Sequence, residues 1–139
     1  MSADKKACVL AIDPGLHKFG LAVLDADGEV IEKSVVTMGD FAQVVLELID
    51  RHHPELLAMG GGTGSGWIAG ALSSAEVKEI HQVDERNTTL EARELAWKEN
   101  PPGGLWRLLP KIFWPTPAEL DAWAAVVIGR RALRETRAE

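Results

Sequence analysis

The first part of the chain alternates short apolar runs with turn residues, a pattern that predicts strands. Residues 7–12 form a continuous apolar run that ends at Asp13-Pro14-Gly15, which is typical of a strand buried on both faces. A second run, residues 21–24, and a third, residues 30–36, flank Ala26-Asp27-Gly28. Because Asp-Gly between two apolar segments is a strong hairpin signal, the pattern predicts a three-stranded antiparallel meander.

The rest of the chain alternates between helical and strand-like patterns. Apolar residues within 41–49 recur at i, i+3, i+4, i+7 and i+8, which predicts a helix with one buried face. Capping-box patterns at Thr88-x-x-Glu91 and at residues 116–119 indicate the starts of two later helices. The remaining predicted elements are a strand at 56–59, a short helix at 68–75, a strand at 77–83, a helix from 88 to about 97, and a last helix from 116 toward 134.

The order of these elements predicts an α/β fold. A meander followed by β-α units forms a five-stranded mixed sheet flanked by helices. Functional groups are then expected at the carboxyl ends of the parallel strands. At 139 residues, we expect residues 1–139 to form a single domain.

Composition narrows the class of protein. The chain is 46% hydrophobic and 26% charged, which is typical of a globular domain. A single cysteine, Cys8, excludes an internal disulfide and a four-cysteine zinc site. The apolar run near the N-terminus is too short for a membrane span or a signal peptide. We therefore expect a cytoplasmic protein with no membrane partner.

The charge is distributed unevenly along the chain. The net charge of −6 argues against a protein that coats DNA, but residues 98–139 carry +2 while residues 1–97 carry −8. The cations near the C-terminus are a candidate phosphate-contacting strip. Alternatively, they only complement the dipole of the last helix. These cations are Arg130, Arg131, Arg134 and Arg137.

Four acidic residues stand where chemistry is expected. Asp13 ends the first strand, Asp84 and Glu85 follow the last predicted strand, and Asp121 lies on an apolar stripe of the last helix. Each also has a structural interpretation: Asp13 as a turn residue, Asp84-Glu85-Arg86 as a solvated turn, and Asp121 as a first-turn acid. Carboxylates from separate elements without a Cys or His pattern are suited to Mg²⁺ or Mn²⁺, and paired ions of this kind catalyse phosphodiester cleavage.

A glycine-rich stretch, residues 60–66, follows the predicted fourth strand. It lacks the Lys-Ser/Thr of a Walker A loop and does not fit G-x-G-x-x-G. Its backbone N–H groups and the hydroxyls of Thr63 and Ser65 are suited to a phosphate. A flexible turn without a ligand is the alternative.

Four segments resemble the YqgF/RuvX family. They are AIDPGLHKFGLAVLD at 11–25, the Gly-rich loop, VDERNTTLEA at 83–92 and LDAWAAVVI at 120–128. The family has an RNase H-like fold, and its members are described as pre-16S rRNA processing nucleases or Holliday-junction resolvase-like proteins. Its acids fall on Asp13, on Asp84-Glu85 and on Asp121.

The resemblance implies a divalent-metal-dependent nuclease that hydrolyses phosphodiester bonds in structured RNA. A branched-DNA resolvase with the same chemistry and a non-catalytic RNA-binding module are the alternatives. We expect a monomer or homodimer in which Asp13, Asp121 and either Asp84 or Glu85 hold Mg²⁺ or Mn²⁺, with Glu85 taken as the third ligand. The expected catalytic residues are Asp13, Asp84, Glu85 and Asp121, and the expected substrate-binding residues are Lys18, Gly62, Thr63, Ser65, Arg86, Arg130 and Arg131.

Overall fold

The computed structural model describes residues 6–15, 17–61 and 79–137. Two 3-10 helices, Gly104–Leu108 and Lys111–Phe113, lie between the last two α-helices described. The main elements are β1 (Ala7–Asp13), β2 (Lys18–Asp25), β3 (Val30–Thr37), α1 (Met38–His52), β4 (Leu56–Gly60), β5 (Glu79–Val83), α2 (Thr88–Glu99) and α3 (Leu120–Arg137).

The five strands form one mixed sheet in the order β3-β2-β1-β4-β5. Strands β1, β2 and β3 pair antiparallel, whereas β1 pairs parallel with β4, and β4 pairs parallel with β5. The predicted mixed sheet with its opening meander is therefore confirmed. Parallel pairing brings the carboxyl ends of β1, β4 and β5 to one edge of the sheet.

Each face of the sheet is covered by helices. On one face, Leu10 and Ile12 of β1 pack with α1, where the rings of Phe19 and Phe41 lie 4.2 Å apart. On the other face, Val9 and Ala11 pack with α2 and α3. Strand β1 is buried on both sides, as its continuous apolar sequence predicts.

Helix α3 lies very close to the sheet. A Cβ atom added at Gly129 would stand 2.6 Å from the Leu24 side chain and 3.1 Å from Ala11 Cβ. Small residues along this helix, including Ala122 and Ala125, are fully buried. Small residues at these contact positions let α3 pack closely across β2 and β1, and this sets the position of its first turn.

Both predicted capping boxes differ from the structure. Helix α3 begins at Leu120 rather than at 116, because Glu119 adopts a left-handed backbone (φ 55°) and its carbonyl accepts the N–H groups of Ala122 and Trp123. Helix α2 does begin at Thr88, but the residue before it, Asn87, supplies no side-chain cap. The hydroxyl of Thr88 instead accepts a hydrogen bond from Arg131.

Some predictions fall on residues that the structure does not describe. The predicted helix at 68–75 and the start of the predicted strand at 77 lie outside the described residues, as do Gly62, Thr63 and Ser65. Within the described ranges, none of the helices combines the length and the apolar character that a bilayer span requires.

Candidate functional site

The carboxyl end of β1 brings Asp13 to the centre of the sheet edge. Asp13 lies opposite Gly20 of β2, and the pairing of Ile12 with Met59 makes Gly60 its neighbour on β4. Side chains alternate along a strand, so Asp13 points to the same face as Ala11, which is the face covered by α3. The two strand positions beside Asp13 are therefore both glycines.

Gly20 allows the first turn of α3 to sit directly on the sheet. A Cβ atom at Gly20 would lie 1.8 Å from the backbone oxygen of Asp121. No other residue type fits this contact without displacing the helix. The contact places Asp121 one strand away from Asp13, at the same edge and on the same face.

Gly60 leaves space for the Glu85 side chain, as Gly20 leaves space for the first turn of α3. A Cβ atom at Gly60 would lie 2.4 Å from Glu85 Oε1, so the carboxylate of Glu85 occupies the space that a side chain would fill. The N–H of Gly61 donates to the carbonyl of Val83 at 2.7 Å, which joins the ends of β4 and β5 at this point. Glu85 is thus turned back over the sheet edge toward β1.

Asp84 points elsewhere, although it precedes Glu85 directly. Its side chain is 68% exposed, and its Oδ1 accepts the backbone N–H of Arg86 at 2.9 Å. The Arg86 guanidinium lies 3.9 Å from Asp84 Oδ2 and is itself highly exposed. Of the two adjacent acids, Glu85 is the one that the fold directs to Asp13.

Burial and neighbouring charges perturb two of the gathered acids, Asp13 and Glu85. The pKa of Asp13 is raised from 3.8 to about 7 by burial first, and then by the negative charges of Glu85 and Asp121. Burial, followed by the charge of Asp84, also raises the pKa of Glu85. No residue in the described part of the chain donates a hydrogen bond to the Asp13 carboxylate. Within residues 6–15, 17–61 and 79–137, the site therefore concentrates negative charge without a compensating cation.

The donor set fits a hard divalent cation in kind, since it consists of carboxylate oxygens alone. As the side chains stand, no group of three His, Cys, Asp or Glu residues within 6–15, 17–61 and 79–137 is arranged to hold a metal ion. The acids are close enough to repel one another but are not in ligating positions. Ion binding would require their side chains to turn toward a common point.

The predicted substrate-binding cations lie in different surroundings. Lys18 and Arg86 are exposed near the ends of β2 and β5. Arg130 Nε donates to the carbonyl of Gly28 at 2.9 Å, at the opposite end of β2 from Gly20. Arg131 is only 13% exposed and binds Glu91 at 2.9 Å.

Two further hydrogen bonds join the Arg131 side chain to the segment that leads from β5 into α2. Its Nη1 donates to the carbonyl of Asp84 at 2.7 Å and to the Thr88 hydroxyl at 3.1 Å. Arg137 donates to the carbonyl of Ala26. Most cations of the predicted phosphate strip therefore hold the chain together, and of the four only Arg134 has no contact of this kind among the described residues.

Two glycines, Gly20 and Gly60, and one apolar surface were not predicted from the sequence. Glycine inside a strand often marks a close approach of another backbone, which was the available signal for Gly20. The surface consists of large apolar side chains that are exposed between α2 and α3, in a region that was expected only to connect two helices. Its most exposed members are Leu105, Leu108, Ile112 and Phe113.

Comparison with solved structures finds proteins of similar fold. RuvC of Thermus thermophilus in complex with a Holliday junction substrate is 19% identical, with 93% of this chain and 95% of that chain covered and a TM-score of 0.62. A second Thermus thermophilus RuvC structure is 20% identical over the same shares, with a TM-score of 0.58. The fowlpox virus resolvase in complex with Holliday junction DNA is 11% identical, covering 92% and 97%, with a TM-score of 0.57.

Comparison of sequences gives no match, either to a family model or to a curated protein. The resemblance to the YqgF/RuvX family therefore stays a prediction. The structural neighbours cover nearly the whole chain and confirm the RNase H-like fold class expected from the sequence.

Proposed function

We propose that this protein is a divalent-metal-dependent nuclease that cuts branched nucleic acid, with a four-way DNA junction as its first candidate substrate. The observation that carries the proposal is the gathering of Asp13, Glu85 and Asp121 at one edge of the sheet, beside Gly20 and Gly60. Burial, followed by the charges of Glu85 and Asp121, raises the pKa of Asp13 there to about 7. A buried carboxylate that faces two further acids is a costly arrangement unless a cation joins them.

Asp13, Glu85 and Asp121 are the residues that would hold Mg²⁺ or Mn²⁺. When bound, such an ion would neutralise the site and activate a phosphodiester toward hydrolysis. With a pKa of about 7, the Asp13 carboxyl is divided between its protonated and ionised forms near neutral pH, so it can release its proton as a cation approaches. Asp121 is fixed by the backbone contact with Gly20, whereas Glu85 reaches the site through a longer side chain.

The choice of substrate rests on the structural neighbours. The RuvC and fowlpox resolvase structures both contain Holliday junction DNA, which supports the branched-DNA alternative over the structured RNA that the sequence resemblance favoured. Pre-16S rRNA processing therefore becomes the second candidate. A binding module without catalysis is the third.

One assay compares these candidates. A four-way DNA junction, a linear duplex of the same sequence and a base-paired RNA are incubated with the protein in Mn²⁺, Mg²⁺ or EDTA. We expect metal-dependent cleavage of the junction in preference to the other two. Preferential cleavage of the RNA would assign the processing function instead, and the absence of cleavage on all three with either metal would overturn the nuclease proposal.

Variants then assign the acids. We expect Asp13→Asn, Glu85→Gln and Asp121→Asn each to lower the cleavage rate about 100-fold or more, since a metal ligand contributes several kcal/mol to the transition state. Asp84→Asn should lower it far less, because that side chain faces solvent. The matched control is Asp50→Asn on the exposed side of α1. Equal losses for Asp84→Asn and Glu85→Gln would contradict the assignment.

A further inference from the structure

The segment between α2 and α3 exposes an unusual amount of apolar surface. Residues 103–114, called here the connecting segment, include Leu108 at 80% exposure, Ile112 at 86% and Phe113 at 63%. Leu105, Trp106 and Leu109 of the same segment line a shallow apolar hollow together with Gly103. An exposed apolar patch of this kind on a soluble domain marks a contact surface.

The connecting segment is held in place from its inner side. Trp114 packs edge-on against Trp97 of α2 with ring centroids 5.1 Å apart, and its Nε1 donates to the carbonyl of Leu109 at 3.0 Å. Trp97 Nε1 in turn donates to the carbonyl of Pro115 at 3.2 Å. Lys111 reaches Glu94 of α2 at 2.9 Å. The apolar side chains on the outer side are therefore displayed from an anchored backbone.

The charge of this region identifies the chemistry of its partner. Residues 100–118 contain no Asp or Glu but carry Arg107 and Lys111, in a chain whose net charge is −6. Lys111 is paired with Glu94, so Arg107 is the cation of this stretch that has no ion-pair partner among the described residues. An acid-free stretch that combines exposed aromatic, aliphatic and cationic side chains complements a phosphate backbone with accessible bases. An apolar protein partner would not require the exclusion of acids.

The connecting segment is also close to the acidic site along the chain. Six residues lie between Trp114 and Asp121, so their Cα atoms are seven chain steps and at most about 24 Å apart. That distance corresponds to about seven nucleotide steps along one strand. A nucleic acid with its scissile phosphate at Asp13 can therefore reach the connecting segment within the same arm or branch.

We propose that the connecting segment binds unstacked bases at the branch of the substrate, with Phe113 and Ile112 against the base faces and Arg107 on a neighbouring phosphate. The proposal rests on the nuclease function proposed above and specifies its substrate: nucleic acid that contains unpaired or unstacked bases beside a duplex. Recognition by stacking depends little on sequence, because every base has an apolar face. The connecting segment thus selects structure rather than sequence.

The test compares binding to a four-way DNA junction and to a linear duplex of the same sequence, each with 2-aminopurine at the position of the branch. Binding is measured by fluorescence in Ca²⁺ with the full chain. The double variant Ile112→Ser/Phe113→Ser should bind the junction about tenfold or more weakly, since each stacked base is lost, and should bind the duplex within twofold of wild type. The 2-aminopurine response on the junction should disappear.

The control variant is Leu46→Ser, which removes an exposed apolar side chain from α1 on the opposite face of the sheet. It should leave both affinities unchanged. Equal weakening on junction and duplex, or no weakening on either, would overturn the proposal. Sedimentation of wild type and both variants tests whether the surface instead binds a second copy of this chain. In that case the wild-type protein would be a dimer, and the double variant would be monomeric without loss of junction affinity.

The outcomes distinguish failure of the base-binding proposal from failure of the nuclease proposal. If the double variant loses junction-specific binding but wild-type protein cleaves no substrate, the connecting segment binds bases and the nuclease proposal is wrong. If wild-type protein cleaves the junction and the double variant binds and cleaves it as well as wild type, the nuclease proposal stands and the base-binding surface is wrong.

Discussion

The two ends of the β1–β2 pair each carry a carboxylate, and the fold treats them differently. At one end, Asp25 lies opposite Ala7 and is only 7% exposed. Its Oδ1 accepts the backbone N–H groups of Asp27 and Glu29, both at 2.9 Å. At the other end, Asp13 lies opposite Gly20 and faces Glu85 and Asp121 instead of donors.

Asp25 is a structural acid, whereas Asp13 is a candidate functional one. Asp25 closes the β2–β3 hairpin, where Gly28 adopts a φ of 84° and its carbonyl accepts Arg130. Its buried charge is satisfied by hydrogen bonds, which stabilise the turn. Asp13 has no such partner in the described part of the chain, so its position lowers stability and calls for a cation from outside.

We expect the largest loss of stability from a substitution at the end of the β1–β2 pair that carries Asp13. Gly20→Ala places a Cβ within 1.8 Å of the Asp121 backbone oxygen, so α3 must move away from the sheet. We expect a loss of about 3 kcal/mol or more in the free energy of unfolding, measured by urea denaturation, together with a loss of cleavage. Gly39→Ala on α1 is the matched control, because no atom lies within 4 Å of its added Cβ. A Gly20→Ala variant as stable as the control would contradict the packing of α3.

We expect a smaller loss of stability from a substitution of Asp25 at the β2–β3 hairpin. Asp25→Ala removes the acceptor of two backbone N–H groups and leaves them in a buried turn. We expect the free energy of unfolding to fall by about 2–3 kcal/mol, whether or not divalent metal is present. A destabilisation that divalent metal reverses would show that Asp25, too, belongs to a cation site.

The smallest effect has the opposite sign. Asp13→Asn removes a charge that the folded state disfavours, so in EDTA at pH 8 we expect it to raise the free energy of unfolding by about 1–3 kcal/mol. Because the folded pKa of about 7 lies above the usual 3.8, the folded protein binds more protons in this window, and wild-type stability falls as pH rises through it. The advantage of the variant should therefore be near zero at pH 4, grow up to pH 7 and then level off. A destabilised variant at pH 8 would assign Asp13 to the turn instead.

Much of the sheet could be predicted from local patterns. The continuous apolar run of residues 7–12 predicted a strand buried on both faces, and Asp27-Gly28 predicted the hairpin. The candidate acids could be selected because they stand at element ends, where the alternation of strands and helices directs functional groups to one edge.

Other features depend on contacts that the local sequence does not contain. Asp84 and Glu85 are adjacent and both follow β5, and only the gap above Gly60 determines that Glu85 turns inward. The cations of α3 were expected to contact phosphate, but Arg130 and Arg131 bind carbonyl groups of residues 102 and 47 positions away. The exposure of Phe113 could not be predicted, because an apolar residue in sequence does not reveal whether a partner covers it.

An NMR titration of the Asp13 carboxyl carbon, first in EDTA and then with saturating Mg²⁺, tests whether this edge of the sheet is a cation site. We expect a pKa of about 7 for Asp13 without metal, because burial, Glu85 and Asp121 disfavour the charged form. We also expect Mg²⁺ to lower this pKa strongly, since the ion compensates the three acids. An Asp13 pKa near 3.8 in EDTA, or a raised pKa that Mg²⁺ leaves unchanged, would contradict the assignment of this edge as the cation site of a nuclease.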